Sequence, residues 1–108
     1  MASRFPCPYL DGEVELTEER ERHIAERHPE LLAGRRDRIA ETLAEPDQVR
    51  RTRFGNVRRF SRWFDDLLGG KHVVVVVVSA LARPGRHWIV TAYIARRLAE
   101  GEVEWSRS

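Results

Sequence analysis

Cysteine is nearly absent from this 108-residue sequence. Cys7 is the only one, which excludes an internal disulfide and any cysteine-rich zinc site. Lysine is as scarce: Lys71 is the sole one, and the remaining eighteen of nineteen basic residues are Arg. Long apolar runs are missing too. The longest, Val73 to Ala82, is about half of the ~18–20 residues that a membrane span needs. The opening MASRFPCPYLDGE has two prolines and no apolar stretch of the secretory kind. The expectation is one soluble, cytoplasmic domain, with Cys7 as a free thiol in a loose amino-terminal arm over residues 1–12.

What is present is an ordinary globular composition with its charge segregated. Hydrophobic residues make up 42% and charged ones 33%, enough for a single core of sheet and helices. The formal net charge of +2 hides three zones. Residues 1–47 hold seven Arg against twelve acids, net −5. Residues 48–97 hold ten Arg and one Lys against two acids, net +9. Residues 98–108 are net −2. A basic half of this kind is the electrostatic footprint of a polyanion partner.

Periodicity divides the chain in the same places. Val14 and Leu16 alternate with Glu13 and Glu15, as in a short half-exposed strand or extended arm. Thr17 is an N-cap candidate, with Glu18 and Glu19 in the first turn where the helix dipole favours acids. That helix should run from Glu18 to His28 and break at Pro29. A second helix is expected from Pro29, bent near Gly34 and best patterned over Arg35–Glu45, with Leu32, Ile39 and Leu43 on its apolar stripe. Pro46 closes it, and EPDQV turns the chain into strands.

From Gln48 the period is two. Gln48–Arg53 and Phe54–Phe64 read as two strands, or one long bent one, with Gly55-Asn56 as the turn. HVVVVVVSALA, between Gly-Gly and Pro-Gly, reads as a central strand covered on both faces. RPGR (Arg83–Arg86) is a tight turn into HWIVTAYIA. The expected fold is α+β: two amino-terminal helices on one face of an antiparallel sheet of about four strands. Residues 13–97 form the core and 98–108 a tail or edge strand.

Three stretches carry candidate chemistry. In ERHIAERHPELL, Ile24 must face the core, which places His28 beside the buried edge and His23 with Arg27 at the solvent boundary. An imidazole there can move a proton, and the guanidinium one turn away can grip a phosphate. The plain structural alternative is a helix end with basic residues favourable to its dipole and Arg27 paired with Glu30. His23 and His28 stand about 140° apart round the helix, a poor spacing for one metal, so no metal or cofactor is expected.

In HWIVTAYIA, strict alternation puts Trp88, Val90, Ala92 and Ile94 on one face. It puts His87, Ile89, Thr91, Tyr93 and Ala95 on the other, a mixture of hydroxyl, phenol and imidazole that fits a shallow polar site. Between them, RRTRFGNVRRFSRWF (residues 50–64) holds six Arg, four aromatics and no acid. Interleaved charge and flat rings are what a nucleic-acid surface needs. Arg50, Arg51, Arg53, Arg58, Arg59, Arg62 and the turn residue Lys71 are therefore RNA-binding candidates. If the ribbon is extended, Arg58 and Arg62 share a face with Phe60, and Arg59 lies opposite with Val57 and Trp63.

Taken together, HIAERHPE, EPDQV and IVTAY, in this order over residues 13–97, resemble the phage-associated nuclease-like domains grouped with barnase, EndoU, colicin and RelE-type toxins (the BECR fold). The resemblance implies two helices before a four-stranded antiparallel sheet, and metal-independent RNA cleavage by 2′-OH attack to a 2′,3′-cyclic phosphate. It implies His23 as leading acid/base with His28 the alternate. Arg27 and Arg53 or Arg58 would neutralise the phosphorane, and Thr91 and Tyr93 would orient the phosphate. Its partners would be RNA and a protein inhibitor or antitoxin. The competing readings are a non-catalytic RNA-binding or protein-interaction module, and an accessory protein forming a homodimer or larger homo-oligomer through an exposed sheet edge.

Overall fold

The computed structural model describes residues 3–32, 35–80 and 85–107. Leu81, Ala82, the expected bend at Gly34 and the Arg83-Pro84 half of the expected turn lie outside them. The chain is α+β, but the described residues form seven strands in one mixed sheet and three α-helices rather than four antiparallel strands and two helices.

The arm expected to be loose is strand β1 (Ser3–Cys7). A single 3₁₀ turn, Pro8–Leu10, folds it back antiparallel onto β2 (Gly12–Leu16). The reason is burial: Phe5, Cys7, Val14 and Leu16 all enter the core, and burial pushes the Cys7 thiol pKa up. Helix α1 (Glu18–Arg27) starts as its sequence dictates, with Thr17 Oγ1 accepting from the Arg20 amide at 3.2 Å and acids in the first turn. It stops at His28, before Pro29. The second expected helix is two pieces, α2 (Pro29–Leu32) and α3 (Arg36–Ala44). Ile39 and Leu43 are buried as the stripe requires, but it is Leu31 rather than Leu32 that is fully buried from the first piece.

Strands β3 (Gln48–Arg51), β4 (Val57–Phe64), β5 (Lys71–Ser79) and β6 (His87–Ala95) form the antiparallel centre. The tail supplies β7 (Glu102–Ser106). The strand order is β1-β2-β6-β5-β4-β3-β7, with the valine strand in the middle and β2–β6 the parallel pair. Helix α3 lies on β5, β4 and β1, and α1 on β6. The helices cover one face of the valine strand, where Val73, Val75 and Val77 join the core; on the outer face Val74 is buried and Val76 and Val78 are half buried.

Strand β6 breaks its own alternation. Val76 pairs with Thr91 but Val77 pairs with Ile89, so Val90 is an extra residue in a β-bulge. Ile89, Ala92 and Ile94 therefore share the helix face with His87, while Trp88, Thr91 and Tyr93 share the outer face. The expectation that His87 and Ile89 accompany Thr91 and Tyr93 is overturned by this one inserted residue.

Candidate nucleic-acid interface

The outer sheet face builds up in rows from the strand register. Arg59, Val76 and Thr91 are neighbours across β4, β5 and β6, and Ser61, Val74 and Tyr93 form the next row. Arg50 extends the first row through β3. Of these, Arg59, Val76, Thr91 and Tyr93 floor a groove of about 900 Å³. Arg51, Thr52, Arg53 and Phe54 stand at one end of it, and Glu100, Gly101 and Glu102 form a wall. Gly101 permits that wall to close in, because a Cβ there would lie 3.2 Å from the Arg51 carbonyl oxygen.

Thr91 and Tyr93 thus share a groove with Arg51, Arg53 and Arg59. Arg59 and Thr91 are two strand spacings apart, about 10 Å between backbones, a gap that a guanidinium and a hydroxyl can share around one phosphate. His28 does not line the groove, but its ring stands near that of Tyr93, which does. β2 pairs with β6 only as far as Glu15–Trp88, and beyond that the end of α1 brings the His28 ring to 5.9 Å from the Tyr93 ring. Its Nδ1 is 3.9 Å from Glu30 Oε1, so Glu30 faces His28 rather than forming the expected pair with Arg27. His23 is half buried and Arg27 exposed on α1; neither lines the groove.

The arginine ribbon divides by face, as extended backbone requires. Arg58 and Arg62 lie with Phe60 on the helix side. Arg58 Nε donates to Glu104 at 2.8 Å, Arg51 Nε to the same carboxylate at 2.9 Å, and Arg62 Nη1 to the Glu45 carbonyl at 3.1 Å. Arg50 donates to Gln48 and to the Ala99 carbonyl, and Arg59 to the Glu100 carbonyl at 3.3 Å. Arg53 stacks over Phe54, with its guanidinium 5.1 Å from the ring centroid. Among the described residues Glu104 is the one carboxylate hydrogen-bonded to any of the six. Carbonyl partners position a guanidinium without cancelling its charge, so most of the ribbon's charge remains available to an anion. Lys71 is engaged elsewhere: its Nζ donates to the Leu68 and Gly70 carbonyls and ties their turn.

Residues that the sequence reading passed over are also here. Glu100 and Glu102 belong to the segment expected as a tail or edge strand; they enter the site because that segment forms β7 beside β3. Glu104 holds three donors, Tyr9, Arg51 and Arg58. Burial alone would raise its carboxyl pKa, but those hydrogen bonds and the Arg58 charge outweigh that and hold it below the usual carboxylate range. On the opposite face from Thr91, Ser79 Oγ and His87 Nδ1 are 2.6 Å apart. Burial, then the charge of Arg58, pushes the His87 pKa down and favours its neutral form. Among the described residues no group of three or more His, Cys, Asp or Glu is placed to hold a metal ion, and no helix is long and apolar enough to cross a membrane.

No family model, curated protein or solved structure matches this chain.

Proposed function

We propose that this protein is a metal-independent endoribonuclease acting on single-stranded RNA laid along the outer sheet face, in the manner implied by the likeness of its motifs to the BECR nucleases. The observation that carries the reading is the joint presence of Arg53, Arg59, Thr91 and Tyr93 in one groove, with the His28 ring 5.9 Å from that of Tyr93. The seven-stranded mixed sheet departs from that group's expected layout, so the reading rests on the groove and not on topology.

In this chemistry the ribose 2′-OH gives its proton to a base and its oxygen attacks phosphorus. The bond to the 5′-oxygen breaks, and that oxygen takes a proton from an acid. The products are a 2′,3′-cyclic phosphate and a 5′-hydroxyl. His28 serves as one of the two proton-transfer groups, and a carboxylate of the Glu100–Glu102 wall serves as the other. Arg59 and Arg53 neutralise the developing charge, and Thr91 and Tyr93 orient the phosphate.

The test is incubation of pure protein with RNA in EDTA, with mapping of product ends. Cyclic-phosphate ends from the wild type, lost in His28→Ala, are expected. Binding without any product would instead establish the second reading, a non-catalytic RNA-binding module. One observation favours that alternative: neither candidate histidine lines the groove, and His28 comes near it through the Tyr93 ring.

A further inference from the structure

We propose that Trp63 is a preformed stacking platform for one unpaired nucleobase of the bound RNA, a proposal that rests on the RNA-binding reading above. Trp63 lies on the same outer face as Arg59, four residues further along β4, which is roughly 13 Å at the rise of a strand. Its side chain combines two properties that seldom occur together. It is 42% exposed, yet it is fixed from several sides.

The indole Nε1 donates to Asp65 Oδ1 at 2.6 Å. The ring packs against Gly70, where an added Cβ would stand 2.7 Å from Cζ2 and where φ is +98°, so only glycine suits the position. His72 meets it edge to face with centroids 4.9 Å apart. The Trp63 amide donates to Asp47 Oδ2 at 2.7 Å, which anchors the backbone beneath.

An indole that only filled space would be buried, and one that was only exposed would be loose. Fixing the ring in advance removes the rotamer entropy that a flexible aromatic would lose on binding. The N–H is already satisfied, so the surface left to a ligand is an aromatic one without a hydrogen-bonding demand. Such a surface accepts the face of any base and does not select sequence.

Charge sets the direction of the strand. Asp65 beside Trp63, and Asp47 beneath it with Arg107 as its ion-pair partner, offer a phosphate no free cation there, whereas Arg50 and Arg59, together in one row two rows away, attract one. The backbone therefore follows the arginines, and a base turns toward Trp63. A duplex, whose bases already stack on one another, cannot offer that base.

The test uses fluorescence anisotropy of a labelled 2′-O-methyl oligouridine, which binds but cannot be cleaved, and a series of the same oligomer with one position at a time made abasic. Wild-type protein should lose affinity roughly tenfold at one abasic position, the effect of removing a single base–aromatic stack. Trp63→Ala should bind the intact oligomer about as weakly and show no further loss at that position, and Trp63→Phe should keep most of the affinity. The abasic series on wild type and on Trp63→Phe decides the matter even if Trp63→Ala does not fold. Wild-type binding that depends on Arg59 but is uniform across the series, and equal in Trp63→Phe and Trp63→Ala, overturns the platform and leaves the groove standing. An absence of wild-type binding overturns both.

Discussion

The Tyr9 hydroxyl donates to Glu104 at 2.5 Å, joining the β1–β2 turn to the strand at the opposite end of the sheet order. The Tyr9 ring also meets Phe60 of β4 at 5.8 Å and Trp105 of β7 at 5.9 Å. Strand twist has curled the sheet until its ends touch through these side chains. Glu104 is shared with Arg51 and Arg58, so the carboxylate that closes the sheet also sets the base of the arginine ribbon.

Removing it should therefore be felt in stability first. Glu104→Ala is expected to cost about 2 kcal/mol, since it leaves several charge-assisted donors without their acceptor, and Tyr9→Phe about 1 kcal/mol. The pH dependence has a definite sign at each end. The folded Glu104 pKa lies below its ordinary 4.5, so its contribution is present above that value and lost as pH falls through the folded one. Burial, then the bond to Glu104, raises the Tyr9 pKa from 10.0 to about 12. Its contribution is thus complete below pH 10 and lost as pH rises toward 12. Urea denaturation across pH should show Glu104→Gln flattening the acid limb and Tyr9→Phe flattening the alkaline limb. Unchanged limbs in both variants would mean that this contact is not what closes the sheet.

His28 and Tyr93 should behave as a pair in catalysis. His28→Ala is expected to lower cleavage by at least about 10²-fold, the usual worth of a positioned proton-transfer group, with little change in melting temperature because the ring is only half buried. Tyr93→Phe should reduce turnover without abolishing binding. His23→Ala, away from the groove, should cleave like wild type. The opposite ranking of the two histidines would transfer the role to His23 and detach the chemistry from Tyr93.

Much of this arrangement is written in local pattern. Thr17, Pro29 and Pro46 delimit helices because capping and proline chemistry act within a few residues. The valine run announces a central strand because little else tolerates so many β-branched side chains. The split of the ribbon into Arg58 and Arg62 against Arg59 follows from alternation alone. The misreadings were all non-local. Whether Phe5 and Cys7 are buried depends on β2 and α3 being there to receive them. The edge-strand alternative expected for residues 98–108 is the one realised, as β7, and it too depends on another element, the open edge of β3. The face of His87 depends on a one-residue bulge at Val90 that nothing in HWIVTAYIA marks. For the site, Thr91, Tyr93 and the arginines were legible as residue types, but the glutamate wall was not, because only pairing with β3 brings it there.

The two faces of the ribbon give a sharp contrast in salt dependence. Arg53→Ala and Arg59→Ala should each weaken RNA binding and reduce the slope of log K against log salt by about 1, the signature of one lost phosphate contact. Arg62→Ala should change neither, because its guanidinium is on the helix side with the Glu45 carbonyl and the Phe64 ring. Titrations at several salt concentrations would show this directly. Equal effects from all three substitutions would mean that RNA does not distinguish the sheet faces.

The glutamate wall should act on binding and on cleavage with opposite signs. Glu100 and Glu102 line the groove beside Arg51, Arg53 and Arg59, so their charge opposes a phosphate backbone, while the function proposed above assigns one of them to proton transfer. Replacing both by glutamine keeps their shape and removes the repulsion. The double variant Glu100→Gln/Glu102→Gln is expected to bind uncleavable RNA several-fold more tightly at low salt, an advantage that fades as salt screens the charges. The same protein should cleave at least about 10²-fold more slowly. Tighter binding with undiminished cleavage would leave the wall a purely electrostatic barrier and move the second proton-transfer group elsewhere. Unchanged binding would show that the RNA backbone does not pass the wall at all.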